Sequence, residues 1–373
     1  MNLFALTADS GGCMHYRLGL PWGVLAKRGL VQARVNADMV EERNARIEAA
    51  DVLVFQSPAS EMMLRYAEAK REMESSQTLV VEHDDNPYAV SPFNPSYVKF
   101  GTEDVFLEDD GTGKARFLWR DGESGFDIER NKRLLRRFES IAGLADLVTT
   151  TTRPLADVFA GIGVAAVSVL PNCIDTEVWK PVSIPHNGLR MGWQGGFSHY
   201  EDLMVLKDVL PDLPYGVVPV VSGWTPPVLT SLCGGRLESH EWVHIEAHPY
   251  KQAMLALDFA VIPLVDNEFN ACKSAIKWVE YSALGVPVIA SNVGPYAAEI
   301  VDGETGLLVP NEPAEWKHAI SRMVCDGELR KRLARNARED VSRRFDVNAR
   351  AEEWLVAYQS VMGANREPII ALA

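Results

Sequence analysis

An α/β chain carrying two parallel sheets is what the sequence predicts, on three observations. Short apolar runs alternate with helix-like segments from end to end, the pattern of parallel strands joined by crossover helices. The alternation occurs twice, separated at 171–188 by PNCIDTEVWKPVSIPHNG, which is rich in proline and turn formers and reads as an interdomain linker. The 373 residues also suffice for two domains of ordinary size, each with its own core.

In the first half the strand candidates are 3–6, 52–55, 79–81, 147–150 and 167–170. Thr152, Arg153 and Pro154 form a helix start, with threonine as N-cap and proline in the first turn. The stretch 88–126 breaks the alternation, and VFLEDDGTGKARFLW within it reads as a hairpin inserted near 105–120, a kind of loop that often sets partner specificity. The run RNKRLLRR, 130–137, has Leu134, Leu135, Phe138 and Ile141 at helical spacing, so its basic residues read as the solvated face of an amphipathic helix. The second half repeats the scheme at 189–193, 217–221, 243–245, 259–262, 286–290 and 307–309. A last helix is expected over 348–363, with Trp354, Leu355 and Tyr358 on its buried side.

Composition narrows the function. A formal net charge of −14 works against a nonspecific polyanion binder, since such binding rests on Lys and Arg displacing counterions. The five cysteines are scattered and lack C-x-x-C spacing, which argues against a zinc site or redox pair. No run of about 18 apolar residues appears and the first residues lack signal-peptide order, so the chain reads as cytoplasmic with no membrane span.

The most informative stretch is NEFNACKSAIKWVEYSALGVPVIA, 267–290, read as a loop, a helix and a buried strand. Lys273 and Lys277 stand in the first turns of that helix, where the macrodipole repels cations by about 0.3–1 kcal/mol. As like charges at i, i+4 they also cost roughly 0.2–0.5 kcal/mol. Both terms change sign if an anion sits at that helix end, so the stretch reads as a cradle for a nucleoside diphosphate. Glu280, further along the same face, is suited to accept hydrogen bonds from ribose hydroxyls. The alternative is a solvated stripe with Lys277 and Glu280 paired.

The order K-S-x-x-K-x-x-E-Y-x-A-x-G-x-P-V-I-A-S, followed by EIVDGETGLLV at 299–309, resembles the donor-binding half of retaining, glycogen synthase-like GT-B glycosyltransferases that use nucleotide sugars. PNCID at 171–175 is similar to the signature ending their first domain, with Cys173 in the glycine place. The resemblance covers roughly 167–345; the first half matches more loosely and looks most like bacteriophage-encoded or bacterial members. It implies two Rossmann-like domains facing a central cleft: an acceptor-binding domain over 1–175, a nucleotide-sugar domain over 185–345, and a helix in 346–373 crossing back to the first.

Carried over residue by residue, the resemblance implies that Gly11, Gly12 and Arg17 approach the donor phosphate, and that His83 in VVEHDD touches the sugar. Asp84 or Asp85 would orient the acceptor hydroxyl or act as its base. Gly195, Gly196 and His199 fall in the phosphate loop opening the second domain. Ser222 with 222–224, and 248–250, would flank the base, with Asn270 and Ser274 on the donor side. Lys273 and Lys277 would stabilise the departing diphosphate. Relatives often place a glutamate where this chain has Cys272, so the sugar contact shifts to Asp266, Glu268, Asn270 or backbone amides. The resemblance implies a UDP-sugar as co-substrate, no essential metal or other cofactor, and a saccharide, a protein or a modified base in DNA as acceptor. The rival readings are a non-catalytic nucleotide-sugar-binding protein on the same scaffold, and an epimerase or phosphorylase.

Overall fold

The computed structural model describes residues 1–36, 39–107 and 116–362. The chain divides into two compact units, one made of Met1–Asn172 with the chain from Asn348 onward, the other of Cys173–Val347.

In the first unit β1 (Asn2–Leu6), β2 (Gln32–Val35), β3 (Val52–Gln56) and β4 (Thr78–Glu82) are followed by a hairpin of β5 (Val105–Leu107) and β6 (Arg116–Trp119), then β7 (Leu147–Thr150) and β8 (Val167–Val169). The main sheet is parallel throughout, in the order β2-β1-β3-β4-β7-β8. Its central strands β3 and β4 are buried along their whole length, as expected of apolar runs covered on both faces. The hairpin is antiparallel, and its Asp-Gly-Thr-Gly turn lies outside the described residues. The helix Arg153–Gly161 starts where expected, with the Thr152 hydroxyl accepting from the Leu155 amide. The edge strand β2, sequence QARV, was not anticipated.

The second unit contains β9 (Leu189–Gly195), β10 (Val217–Gly223), β11 (Glu238–His240), β12 (Phe259–Ile262), β13 (Val288–Ser291) and β14 (Leu307–Val309), again all parallel, in the order β11-β10-β9-β12-β13-β14. The edge strand expected at 243–245 lies earlier in the chain, at Glu238–His240, and Ile245–Ala247 is a 3-10 turn. The boundary between the units falls within the expected linker 171–188, of which 180–188 are mostly exposed and 173–179 belong to this unit. Ile174 and Trp179 are buried, and Ile174 bridges Asp346 within this unit, because two large apolar side chains gain more from packing than from solvent.

Numbered by their place in the unit, the strands of the second sheet run 3-2-1-4-5-6, so the order reverses between β9 and β12. That reversal leaves a crevice at the carboxyl ends of the two strands, where open α/β sheets bind ligands. The register shows the opening directly. β9 pairs with β10 from Leu189 to Gly195 but with β12 only at Met191 and Gly192, so the two strands part before either ends.

The chain's return to the first unit ends in the helix Glu352–Gln359, which buries Trp354 and Tyr358; Leu355 is half-buried. Trp354 Nε1 donates to the Arg17 carbonyl at 2.9 Å, and Trp22 Nε1 to the Tyr358 hydroxyl at 3.2 Å. Arg17 lies in a π-helical turn, His15–Gly19, and is fully buried. Its Nε donates to Glu82 at 2.6 Å and an Nη to the other carboxylate oxygen at 3.1 Å, while the second Nη serves the Leu170 carbonyl and Asn172. Removing one partner of such a pair strands the other charge. Arg17→Met is therefore expected to cost about 3–5 kcal/mol, seen as a lower thermal midpoint, and Glu82→Gln in the Arg17→Met background should recover part of it.

Candidate functional site

The crevice of the second unit is built from the segments that follow β9 and β12. After β9 the chain passes Gly195 and Gly196 into a 3-10 turn, Phe197–His199, and a short helix, Tyr200–Met204. Glycine is required at the first step: a Cβ on Gly195 would stand 2.8 Å from the Trp193 ring and 3.3 Å from His199 Cδ2. Across the strand pair Gly223 has φ +111°, and a Cβ there would come within 2.4 Å of the Gly195 carbonyl oxygen. Two backbones thus touch where β9 and β10 end.

After β12 the Asn267 side chain caps one helical turn, Glu268–Ala271, and the helix Ile276–Ala283 begins three residues later than the sequence suggested. Lys273 lies in the break between the two, so it is not helical, and the two lysines, though still mutually repelling, are not an i, i+4 pair on one continuous helix. The residues 272–275 between the turn and the helix are irregular. Both lysines remain without an ion pair among the described residues. Lys273 Nζ rests 4.6 Å above the Phe269 ring and Lys277 Nζ 5.6 Å above the Trp193 ring. Burial lowers the Lys277 ammonium to about 8, with Asp202 opposing the shift and Lys273 adding to it.

Beneath the lysines is a buried polar layer. Gln194 Nε2 donates to Glu280 Oε2, and His248 Nε2 lies 3.7 Å from the same oxygen. The Lys277–Glu280 ion pair of the alternative reading is not formed among the described residues. The His248 ring stacks at 5.0 Å on Trp242, which is exposed, and meets Trp179 edge-on at 5.6 Å. Ser222 is buried with its hydroxyl accepting from Gln252, and Trp224 packs against Tyr200. Asn270 is buried too, its amide donating to Asp202 at 2.9 Å and to the Val265 carbonyl at 3.0 Å. Both are thus structural partners of the crevice wall rather than exposed contacts. Ser274 is half-buried beside Lys273, Asp266 and Glu268 are exposed, and Cys272 is buried.

Asp202 and Gln194 were missed by sequence reasoning. An acid in the first turn of a helix is too common to stand out, and a glutamine ending an apolar strand carries no signal of its own. Asp202 holds His199 Nδ1 at 2.8 Å. Burial drives the His199 imidazole down to about 3, and the nearby Lys277 and Lys273 charges push the same way against the pull of Asp202.

The residues expected at the first unit separate into two groups. Gly11, Gly12, Asp84 and Asp85 lie half-buried at the carboxyl ends of β1 and β4. The Gly11 amide donates to Asp9 at 2.7 Å, and a Cβ on Gly12 would meet no protein atom within 4 Å. The Cys13 thiol is held well above its usual range, first by the Asp84 charge, then by burial and Asp85, so the acids and the glycine turn are neighbours. Arg17 and His83 face inward instead. The Arg17 guanidinium is consumed by Glu82, and His83 packs between Phe138 and Phe159 at 4.9 and 5.9 Å with its Nδ1 2.9 Å from the Ser57 hydroxyl. Burial lowers His83 to about 4, so it is neutral at ordinary pH, and its Nε2 has no hydrogen-bond partner among the described residues. Neither side chain is presented to a ligand in this arrangement.

Among the described residues no group of three or more His, Cys, Asp or Glu side chains could hold a metal ion, and no helix is long and apolar enough to cross a membrane. The basic run 130–137 lies on the helix Ile128–Leu144 and is largely tied to protein groups. Arg130 donates to the Val98 and Gly125 carbonyls, Arg137 pairs with Glu61, and Lys132 pairs with Glu129.

Residues 273–340, from the first lysine into the helix Gly327–Arg344, match the family described as Glycosyl transferases group 1. A D-inositol 3-phosphate glycosyltransferase of Stackebrandtia nassauensis is 25% identical over 257 residues, which is 59% of this chain and 55% of that protein. The corresponding protein of Saccharomonospora viridis is 31% identical over 119 residues, 32% of this chain and 26% of its own length. The chain thus spans about half the first relative and about a quarter of the second. Among solved structures, sucrose-phosphate synthase from Thermosynechococcus elongatus superposes with a TM-score of 0.67 at 16% identity, covering 97% of this chain and 99% of that one. HepE of Anabaena, in complex with UDP-glucose, superposes with a TM-score of 0.62 at 17% identity over 96% of this chain and all (100%) of that one. The chain therefore has the GT-B glycosyltransferase fold, and within its second unit residues 273–340 match the group 1 glycosyl transferase family.

Proposed function

We propose that the protein is a glycosyltransferase that takes a sugar from a nucleoside-diphosphate sugar, a UDP-sugar in the first instance, and transfers it with retention to a saccharide hydroxyl. The observation that carries this reading is the pair of unpaired ammonium groups, Lys273 and Lys277, at the carboxyl end of a sheet whose strand order reverses beside them. Cleavage of the bond between the anomeric carbon and the diphosphate leaves negative charge on the diphosphate. Fixed cations in a partly dehydrated site stabilise that charge as it grows. Glu280, held by Gln194, is assigned to the ribose hydroxyls, and the Gly195–Gly196 turn lets the backbone approach the phosphates.

Support for the uridine nucleotide comes from HepE, which was solved with UDP and with UDP-glucose. Support for a saccharide acceptor comes from structural relatives such as the lipopolysaccharide outer core galactosyltransferase WaaB, with a TM-score of 0.57. On the first unit Asp84 and Asp85 are assigned to the acceptor hydroxyl, to orient it or accept its proton.

Thermal-shift and calorimetric titration with UDP, GDP, ADP, CMP and dTDP should single out one nucleotide, with a stabilisation of about 2.7 kcal/mol at a hundred times its dissociation constant. Lys277→Met should weaken it by about 1.5–3 kcal/mol, the usual worth of a hydrogen bond to a charged group. An absence of any shift would return the lysines to an ordinary surface. Affinity should also depend on pH. Free Lys277 loses its proton near pH 8, and the anion prefers the ammonium, so binding is full below that pH and falls above it. Lys277→Met should flatten this dependence.

Asp84→Asn should lower turnover by about a hundredfold or more, the scale of general acid–base contributions, while leaving the nucleotide dissociation constant unchanged. A parallel loss of nucleotide affinity would place Asp84 on the donor side. The anomeric configuration of the product, read by NMR, tests retention, and an inverted product would overturn it.

A further inference from the structure

We propose that Asp202 is a positioning residue of the donor site, which through its bond with His199 Nδ1 fixes the imidazole so that Nε2 serves the diphosphate beside Lys273 and Lys277. The inference rests on the nucleotide-sugar reading above and extends it to a residue in the wall of the crevice.

The bonds to Asp202 divide cleanly between its two oxygens. Oδ2 faces His199 Nδ1 at 2.8 Å; Oδ1 accepts from the Val265 amide and from Asn270 Nδ2, both at 2.9 Å. The residue is 4% exposed, and with both oxygens engaged by three different segments its carboxylate plane cannot turn. On the opposite side the imidazole is limited by Gly195, whose missing Cβ would lie 3.3 Å from His199 Cδ2. The ring is therefore located by a carboxylate at Nδ1 and by a bare backbone at the Cδ2 edge.

The carboxylate also settles the proton. A carboxylate only accepts, so Nδ1 carries the hydrogen and Nε2 is the nitrogen left for a ligand. In the neutral ring Nε2 bears only a lone pair, which would oppose a diphosphate oxygen, so it serves the diphosphate by taking up a second proton from solvent on binding; the imidazolium then stands between Asp202 and the diphosphate, with negative charge at both ends to hold it. The same Oδ1 reaches Asn270, in the capped turn that immediately precedes Lys273, so one side chain sets the place of the imidazole and of the lysine-bearing loop.

A role confined to tying loops together is separated from this one by Asp202→Asn. The asparagine oxygen can still accept from Val265 and Asn270, whereas its NH2 would face His199 Nδ1 as a donor and remove the negative charge that favours the imidazolium, leaving at most a neutral donor at Nε2. UDP affinity is to be measured by calorimetry for the wild type, Asp202→Asn, His199→Ala and the double variant. Each single change is expected to weaken UDP about tenfold, and the double variant no further than the weaker single one. Independent losses that multiply to about a hundredfold, or wild-type affinity in Asp202→Asn, would overturn the inference and leave the nucleotide-sugar reading standing. Failure of the wild type to bind UDP would sink the uridine reading itself. Side-chain 15N NMR of the wild type, with His199 assigned by its loss in His199→Ala, avoids dependence on how Asp202→Asn folds. A protonated Nδ1, with an Nε2 resonance that moves on adding UDP, is expected; an Nε2 indifferent to UDP would refute the role.

Discussion

Asp202 accepts hydrogen bonds from the Val265 amide and the Asn270 side chain and bonds His199, and a carboxylate 4% exposed could not keep its charge there without them. The need arises from the sheet. Where the strand order reverses, β9 and β12 part after two paired positions, and the segments leaving them lose the ladder that satisfies their neighbours. A polar side chain has to take over that work. Asp202 does so for the segments after both strands at once, and its negative charge is also what keeps the Lys277 ammonium from falling further than burial alone would take it.

The first sheet handles the same topology differently. Its order also reverses, between β1 and β3, yet Arg17, in the turn His15–Gly19 after β1, is spent inside on Glu82, the Leu170 carbonyl and Asn172. A guanidinium with five donors can satisfy a carboxylate and a carbonyl together, and once buried it has nothing left for a ligand. Near the ends of β1 and β4 stand the half-buried acids Asp84 and Asp85, beside Cys13. The two units therefore offer opposite charge: uncompensated cations in the second, carboxylates in the first. That contrast suits a phosphate-bearing substrate on one unit and a neutral hydroxyl on the other, in line with the proposed assignment.

Much of this was legible because apolar runs report burial, and the interior strands β3, β4, β12 and β13 are buried from end to end. The edge strand β2 escaped notice because one flank has no partner strand, and QARV alternates between exposed and half-buried positions. At the other edge β11 is three residues long, and the apolar Val243 and Ile245 nearby were mistaken for it. Around the crevice, the lysines were conspicuous because they violate a preference. The later helix start gave no warning, because its N-cap position is Ala275, which has no capping side chain to mark it, while the capped turn Glu268–Ala271 lies in what was read as loop. Arg17 and His83 face inward for a common reason: sequence gives the position along a strand or helix, while the direction of a side chain depends on partners such as Glu82, Ser57 and Phe138 that are distant in the chain. Asp202 was hidden for the same reason, its partners Val265 and Asn270 being more than 60 residues away.

The lysines themselves pose a last problem: how a protein with a formal net charge of −14 keeps two ammonium groups unpaired. Carboxylates are at hand, since Asp202 and Glu280 both act on Lys277, but each is already committed, to His199 and Asn270 in one case and to Gln194 in the other. The ammonium groups rest over aromatic faces instead, Lys273 on Phe269 and Lys277 on Trp193. A cation–π contact contributes about 0.5–2 kcal/mol and leaves the positive charge intact, whereas an ion pair would neutralise it and have to be broken before an anion could bind. Holding the cation by a ring therefore keeps it in place at small cost to later binding. Trp193 fits this use because it belongs to β9 itself, with its edge 2.8 Å from where a Cβ of Gly195 would lie, so the strand that opens the crevice also supplies the surface on which its cation rests.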